Sequence, residues 1–187
     1  MDKVRYGIIG VGNQGSTYVL KYFDGGMIVD GELTAVCDIN PAKIENIKNN
    51  LKNISPAYFD NYITMLESGL CDAVLIETPH YDHPPIAIEC MKSGIHVISE
   101  KPAGVYTKNV RELDAAAKKA GVKHSVVLGS YFSYLAKMRP EMKLTEKHPY
   151  IRSRIDQENV AFSFADENFD VAVLELPYIF GTQPGRK

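Results

Sequence analysis

Short apolar runs recur along the chain, each followed by a longer segment whose apolar positions repeat at helical spacing. The runs at 4–9, 33–37, 57–59, 73–76, 95–98 and 125–128 predict strands, and the segments at 13–23, 41–51, 62–68, 84–94 and 107–121 predict helices. Local signals support these boundaries. Asn40-Pro41 places a capping side chain before a proline at the first helical position. Pro84-Pro85 opens a helix that Gly94 closes, and Thr107 is an N-cap for a helix that stops at Gly121. Beyond it, 133–147 has no regular period, 149–164 predicts a helix and 171–176 a strand.

Six strands, each separated from the next by a helix, predict a parallel sheet covered on both faces. Right-handed crossovers then make it a doubly wound, mostly parallel Rossmann-type α/β fold. No internal repeat, low-complexity tract or linker interrupts the pattern. Residues 122–187 hold too few strands to bury a core alone. A single domain over 1–187 is therefore expected, with one sheet running through the junction near Gly121.

Composition narrows the class. The 187 residues are 45% hydrophobic and 24% charged, as in an ordinary globular protein. A formal net charge of -2, with basic residues scattered except at Lys118-Lys119 and Arg152/Arg154, gives no electrostatic basis for nucleic acid as a partner. Cys37, Cys71 and Cys90 are far apart and odd in number, which predicts reduced, packed thiols. Neither a leader with a cleavage site nor an apolar run of roughly 18 residues is found, so a cytoplasmic protein with no membrane partner is expected. Assembly into a homo-oligomer stays open.

The first candidate chemistry lies at Gly10-Val11-Gly12-Asn13-Gln14-Gly15, between the first strand and first helix. Glycine is required for the tight turn, for backbone approach to a pyrophosphate and for helix–strand packing. The helix that begins near Asn13 directs free N–H groups and its positive end at the phosphates. Asp38 follows the second strand, 23 positions after Gly15, where a carboxylate accepts from ribose hydroxyls. The other reading of Asp38 is a turn or capping residue before Asn40-Pro41. A carboxylate there repels a 2′-phosphate, which favours NAD over NADP as cofactor.

Gly7-Ile8-Ile9-Gly10-Val11-Gly12, Ala35-Val36-Cys37-Asp38, Thr78-Pro79 with His83, and Glu100-Lys101-Pro102 occur in the order of one family. Over residues 1 to about 120 the chain resembles the nucleotide domain of the glucose-fructose oxidoreductase/inositol dehydrogenase (Gfo/Idh/MocA) family. The resemblance implies that Lys101 lies near the nicotinamide and a sugar-like or polyol substrate. It implies that Glu100 and Pro102 shape the turn, and that Thr78, Pro79 and His83 line the cofactor side. Independently, a lysine at the carboxyl end of a buried strand stands where parallel sheets bind ligands. His80, Asp82 and His83 come with no further ligands at metal spacing, so no metal site is expected.

From about residue 115 onward, 121–130, 150–154 and 171–181 resemble an extended short-chain dehydrogenase or NAD-dependent epimerase. That resemblance implies a chimera of two Rossmann halves. It matches Ser130 and Tyr150 to the catalytic Ser and Tyr, with Arg154 where that family has lysine. Tyr150 and Arg154 are four apart and share a helix face, so the cation would favour the phenolate. Equally, Tyr150 reads as a first-turn residue of an amphipathic helix whose Ile151, Ile155 and Phe162 enter the core. Two functions follow: an oxidoreductase using Lys101, or Tyr150 with Ser130, and a dinucleotide-binding module without turnover. The sheet-rich substrate domain of the first family is not recognisable in 122–187, which makes weak turnover the expectation.

Overall fold

The computed structural model describes residues 2–176, so the part of the second resemblance at 177–181 lies outside the described residues. The chain divides into two compact units, 1–121 and 122–187.

The first unit follows the expected βα alternation. β1 (Val4–Ile9) leads through the glycine turn into α1 (Asn13–Thr17), which continues as a wider π-helical turn, Tyr18–Phe23. β2 (Gly31–Cys37), α2 (Pro41–Asn50), β3 (Ala57–Phe59), α3 (Tyr62–Glu67), β4 (Ala73–Ile76), α4 (His83–Lys92), β5 (His96–Ser99) and α5 (Thr107–Lys119) complete it. The five strands form one parallel sheet in the order β3-β2-β1-β4-β5, the doubly wound α/β arrangement. The chain leaves β1 towards β2 on one side and returns to β4 on the other. The crevice at the carboxyl ends of β1 and β4 is therefore the switch point.

Alternation along the strands divides the core between the two faces. Ile8 and Leu75 pack with Val19, Phe23, Ile44 and Ile47 on one face. Ile9, Val74 and Ile76 pack with Met65, Leu66, Ile86 and Cys90 on the other. β2 breaks strict alternation, because Leu33 and Val36 share a face although three apart. The register explains this: Tyr6 pairs with Leu33 but Gly7 with Ala35, so Thr34 is an extra residue in a bulge. Its hydroxyl lies 2.8 Å from the Leu70 carbonyl oxygen and 3.1 Å from that of Tyr6. Cys37, Cys71 and Cys90 are free and buried, and burial pushes the Cys37 and Cys90 thiols up to about 12. Such thiols are packing groups and poor nucleophiles at neutral pH.

In the second unit β6 (His124–Ser130) and β7 (Asp170–Leu176) pair in parallel among the described residues. They enclose a crossover of α6 (Tyr131–Met138), a 3₁₀ turn at Pro140–Met142, α7 (Leu144–Lys147) and α8 (Pro149–Phe162). The stretch expected to be irregular thus begins inside α6, which starts because the Ser130 hydroxyl accepts from the Phe132 N–H at 3.3 Å. Lys137 joins the buried Glu158 (2.5 Å) on α8 to Glu175 (2.9 Å) on β7. Helix α5 begins at Thr107 itself, so its N-cap falls one residue earlier, on Tyr106. No helix among the described residues is long and apolar enough to cross a membrane.

Both core clusters of the first unit are built entirely from residues before Gly121. A fragment of residues 1–121 is accordingly expected to fold by itself, with one cooperative transition in thermal and denaturant melts. A fragment lacking a cooperative transition would show that its core depends on later residues.

Candidate active site and cofactor cleft

The glycine turn is shaped by close contact. Gly10 has φ +94°, and its N–H donates to the Cys37 carbonyl (2.8 Å), which joins β1 to the end of β2. A Cβ on Gly15 would stand 2.0 Å from the Gly10 carbonyl oxygen, so the helix can approach the strand only without a side chain there. At Gly12 a Cβ would meet nothing within 4 Å, which marks the open side of the loop. Gly12 is the N-cap of α1 and has no side chain to cap it, so the first-turn N–H groups face outward from the sheet end.

Asp38 is buried at the end of β2. Its Oδ2 accepts from the Val11 N–H (2.9 Å) and lies 3.4 Å from Lys43 Nζ, and its Oδ1 accepts from the Asn40 N–H (2.8 Å). The turn role expected as the second reading is therefore present. A contact absent from the sequence pattern joins it: Asp38 holds the glycine loop from below. Asn40 is the N-cap of α2, its Oδ1 accepting from the Ala42 N–H.

Beside the loop, a cleft of about 300 Å³ opens at the ends of β4 and β5. Gln14, Glu77, Thr78, His80, His83, Glu100 and Lys101 line it. Backbone hydrogen bonds fix the acidic pair: the Glu77 N–H donates to the Ile9 carbonyl (2.8 Å), and the Glu100 N–H to that of Ile76 (3.1 Å). The sheet ladder thus runs one residue past both strands. Glu77 Oε2 and Thr78 Oγ1 are buried without a hydrogen-bond partner. Burial, and then the neighbouring Glu100 carboxylate, push Glu77 up to about 7. Tyr18 is raised by burial and by the same two carboxylates.

His83 lines this cleft but is 1% exposed, and both ring nitrogens face carbonyl oxygens at 2.8 Å, Nε2 that of Thr78 and Nδ1 that of Pro102. It clamps the turn after β4 to the turn after β5. Lys101 stands exposed at the rim, its N–H donating to Glu100 Oε2 (3.1 Å), while Pro79 is exposed outside the lining. Among the described residues no three His, Cys, Asp or Glu side chains are grouped to hold a metal ion. The residue that sequence reasoning missed is Glu77. Its signal was an acid directly after the wholly apolar Ala73–Ile76 strand, at the sheet end where ligands bind.

In the second unit, Tyr150 and Arg154 do share a helix face. The guanidinium lies over the tyrosine ring, 5.7 Å from its centroid, and Arg154 Nη1 donates to Gln157 Oε1 (2.7 Å). That is a cation–π contact with the ring face. Tyr150 is 56% exposed, against Phe132 at 6.4 Å. Ile151 is buried as the helical reading requires, whereas Phe162 is exposed. Ser130 is occupied as the α6 cap.

The glycine cradle, the Asp38 tie and the cleft at the switch point coincide with one sequence family. Residues 4–128 match the Gfo/Idh/MocA oxidoreductase family, NAD-binding Rossmann fold. The chain belongs to this family. The match extends into β6, past the point near 120 where the sequence pattern placed its end. A glycosyl hydrolase family 109 protein of Shewanella sp. (strain ANA-3) is 36% identical over 109 residues, 54% of this chain and 23% of that protein. The WlbA dehydrogenase of Bordetella pertussis, solved with NADH and UDP-GlcNAcA, is 30% identical with a TM-score of 0.57, covering 65% of this chain and 36% of that one. The scyllo-inositol dehydrogenase of Lactobacillus casei with bound NAD(H) and scyllo-inositol shares the fold, with TM-score 0.60, 21% identity and cover of 75% and 42%. The chain thus spans about a quarter of the length of the curated relatives it matches.

Removing the Asp38 carboxylate should cost stability, since the Val11 and Asn40 N–H groups lose their acceptor. Asp38→Ala is expected to lose about 2 kcal/mol in urea denaturation. An unchanged midpoint would mean that the tie does not support the loop.

Proposed function

We propose that this chain holds NAD along the carboxyl ends of its central strands, as the cofactor-binding part of an oxidoreductase that acts on a sugar-like or polyol substrate. The observation that carries this reading is the cradle. Gly10 and Gly15 leave space where any side chain would collide, and the adjoining cleft offers two buried polar atoms without protein partners. The pyrophosphate lies against Gly10, Gly12 and Gly15 and the N–H groups of Asn13 and Gln14. The adenosine ribose lies at the β2 end beside Asp38, whose charge disfavours a 2′-phosphate and selects NAD over NADP. When bound, the cofactor supplies hydride transfer.

The remaining work falls to the chain's own residues. Thr78 and Gln14 orient the nicotinamide half, and the Thr78 hydroxyl gains the partner it lacks. Lys101 holds a substrate oxygen at the rim and shifts a proton there. His83, through Thr78 and Pro102, keeps the Lys101 turn in place. The WlbA relative, solved with a UDP-sugar, supports the sugar-like class.

A second reading, dinucleotide binding without turnover, is favoured by the span of the match, a quarter of the curated relatives' length. For the part of residues 122–187 that lies beyond the family match, from 129 onward, we propose the short-chain-dehydrogenase-like origin, and hence a chimera. Its parallel β6–β7 crossover supports that origin. The Ser130 cap and the Arg154 contact with the Tyr150 ring argue against a working catalytic set.

Calorimetry of the full chain is expected to detect NAD binding, and Gly15→Ala to weaken it at least about tenfold, because its Cβ displaces the loop. Turnover followed by nicotinamide absorbance over a polyol and sugar panel is expected to be weak. What turnover exists should fall in Lys101→Ala and persist in Tyr150→Phe. No NAD binding by the wild type would overturn the proposal, and turnover abolished by Tyr150→Phe would transfer the chemistry to the second unit.

A further inference from the structure

Glu77 has a carboxyl group that the fold does not use. Its backbone N–H continues the β1–β4 ladder, yet its Oε2 is buried without a hydrogen-bond partner, in the wall of the cleft. Glu100 faces it from the end of β5, and the Tyr18 phenol from the helical turn after α1. The other titratable groups of the cleft are His80, His83 and Lys101. His83 is engaged at both nitrogens by carbonyl oxygens. Lys101 and His80 are exposed, where water and salt screen them. The wall of the cleft therefore carries two half-buried carboxyl groups and no hydrogen-bond partner for Glu77 Oε2.

The strand order says which part of a dinucleotide meets that wall. With the pyrophosphate on the glycine turn and the adenosine ribose at β2, the other half must cross the ends of β4 and β5. Glu77 and Glu100 occupy those ends. The nicotinamide ring is cationic when oxidised and neutral when reduced, and the rest of the molecule carries the same charge in both forms. We propose that Glu77, beside Glu100, is a specificity-determining residue that favours the oxidised, cationic dinucleotide over the reduced, neutral one. This rests on the reading that the cleft binds NAD.

The charge on Glu77 is set in the neutral range, since burial and Glu100 raise it to about 7. Below that pH the group is neutral and tells the two forms apart poorly. Above it the carboxylate attracts the cationic ring. The ratio of the NADH to the NAD+ dissociation constant must then rise with pH. A one-unit fall in the Glu77 pKa on binding the cation corresponds to a tenfold rise in that ratio.

The test measures both affinities on the full chain between about pH 6 and pH 8.5, with calorimetry for NAD+ and the coenzyme's own fluorescence for NADH. The wild-type ratio is expected to rise about fivefold between these limits, the part of the tenfold change that falls inside them. In Glu77→Gln, which keeps the shape but cannot ionise, the ratio should stay flat. In Glu100→Gln the rise should persist with its midpoint at lower pH, because one repelling charge is gone. A wild-type ratio independent of pH overturns the proposal even if no variant folds, as does a Glu77→Gln profile that matches the wild type. Failure of both dinucleotides to bind overturns the cofactor reading together with this one. Binding of both without a pH-dependent ratio overturns this inference alone.

Discussion

Gly10 and Gly15 touch across the turn between β1 and α1, and the rest of the site follows from how closely they do so. The helix begins against the strand end, where a side chain at 15 would stand 2.0 Å from the Gly10 carbonyl oxygen. Gly10 can turn there because its φ of +94° is open to glycine at little cost. The same residue abuts the next strand: a Cβ on Gly10 would lie 2.8 Å from the Glu77 carbonyl group. Loop, helix and the end of β4 are therefore set by these two close approaches. Asp38 fixes the loop from the β2 side by accepting from the Val11 N–H.

The cleft is costly to the fold, and the two core clusters offset that cost. Burying a carboxyl without a partner disfavours its charged form, and a like charge beside it adds to the effect. Here Ile8 and Ile9 of β1 and the β4 side chains Val74, Leu75 and Ile76 are packed on both faces, and each such burial stabilises by about 1.5–3 kcal/mol. The Glu77 and Glu100 backbones are held by ladder bonds beyond the strand ends, so neither carboxyl swings away with its own loop. His83 closes the same frame from the other side, joining the Thr78 and Pro102 carbonyls.

Much of the first unit was legible in the sequence because its signals are local. Alternation, glycine at the turn and Asn40-Pro41 each report a requirement met within a few residues of the chain. What was hidden depends on groups that meet only after folding. The Thr34 bulge answers the mismatch between Tyr6/Leu33 and Gly7/Ala35, which no single strand displays. The π-helical turn over Tyr18–Phe23 is likewise silent in a pattern of apolar spacing. Asp38 was found as an acid in the right place, but its hold on Val11 needs the loop to be built first. Glu77 was passed over because one acid after an apolar strand reads as a loop residue until Glu100 is brought beside it.

The second unit shows where motif spacing stops being sufficient. β6 pairs with β7, which returns in parallel after α8, through seven residue pairs from His124/Asp170 to Ser130/Leu176. Competition between local partners decides the side chains. A serine at a strand end beside a helix start is a good cap, and Ser130 is used as one. A tyrosine and an arginine four apart on a helix meet by geometry whatever their history. Which part of the tyrosine the cation meets is set by rotamers and neighbours, and here Arg154 lies over the ring and donates to Gln157. A guanidinium on the ring face is drawn to the π cloud, whereas activating the phenol would require it at the oxygen. Spacing establishes that two groups can meet. The chemistry depends on which atoms do.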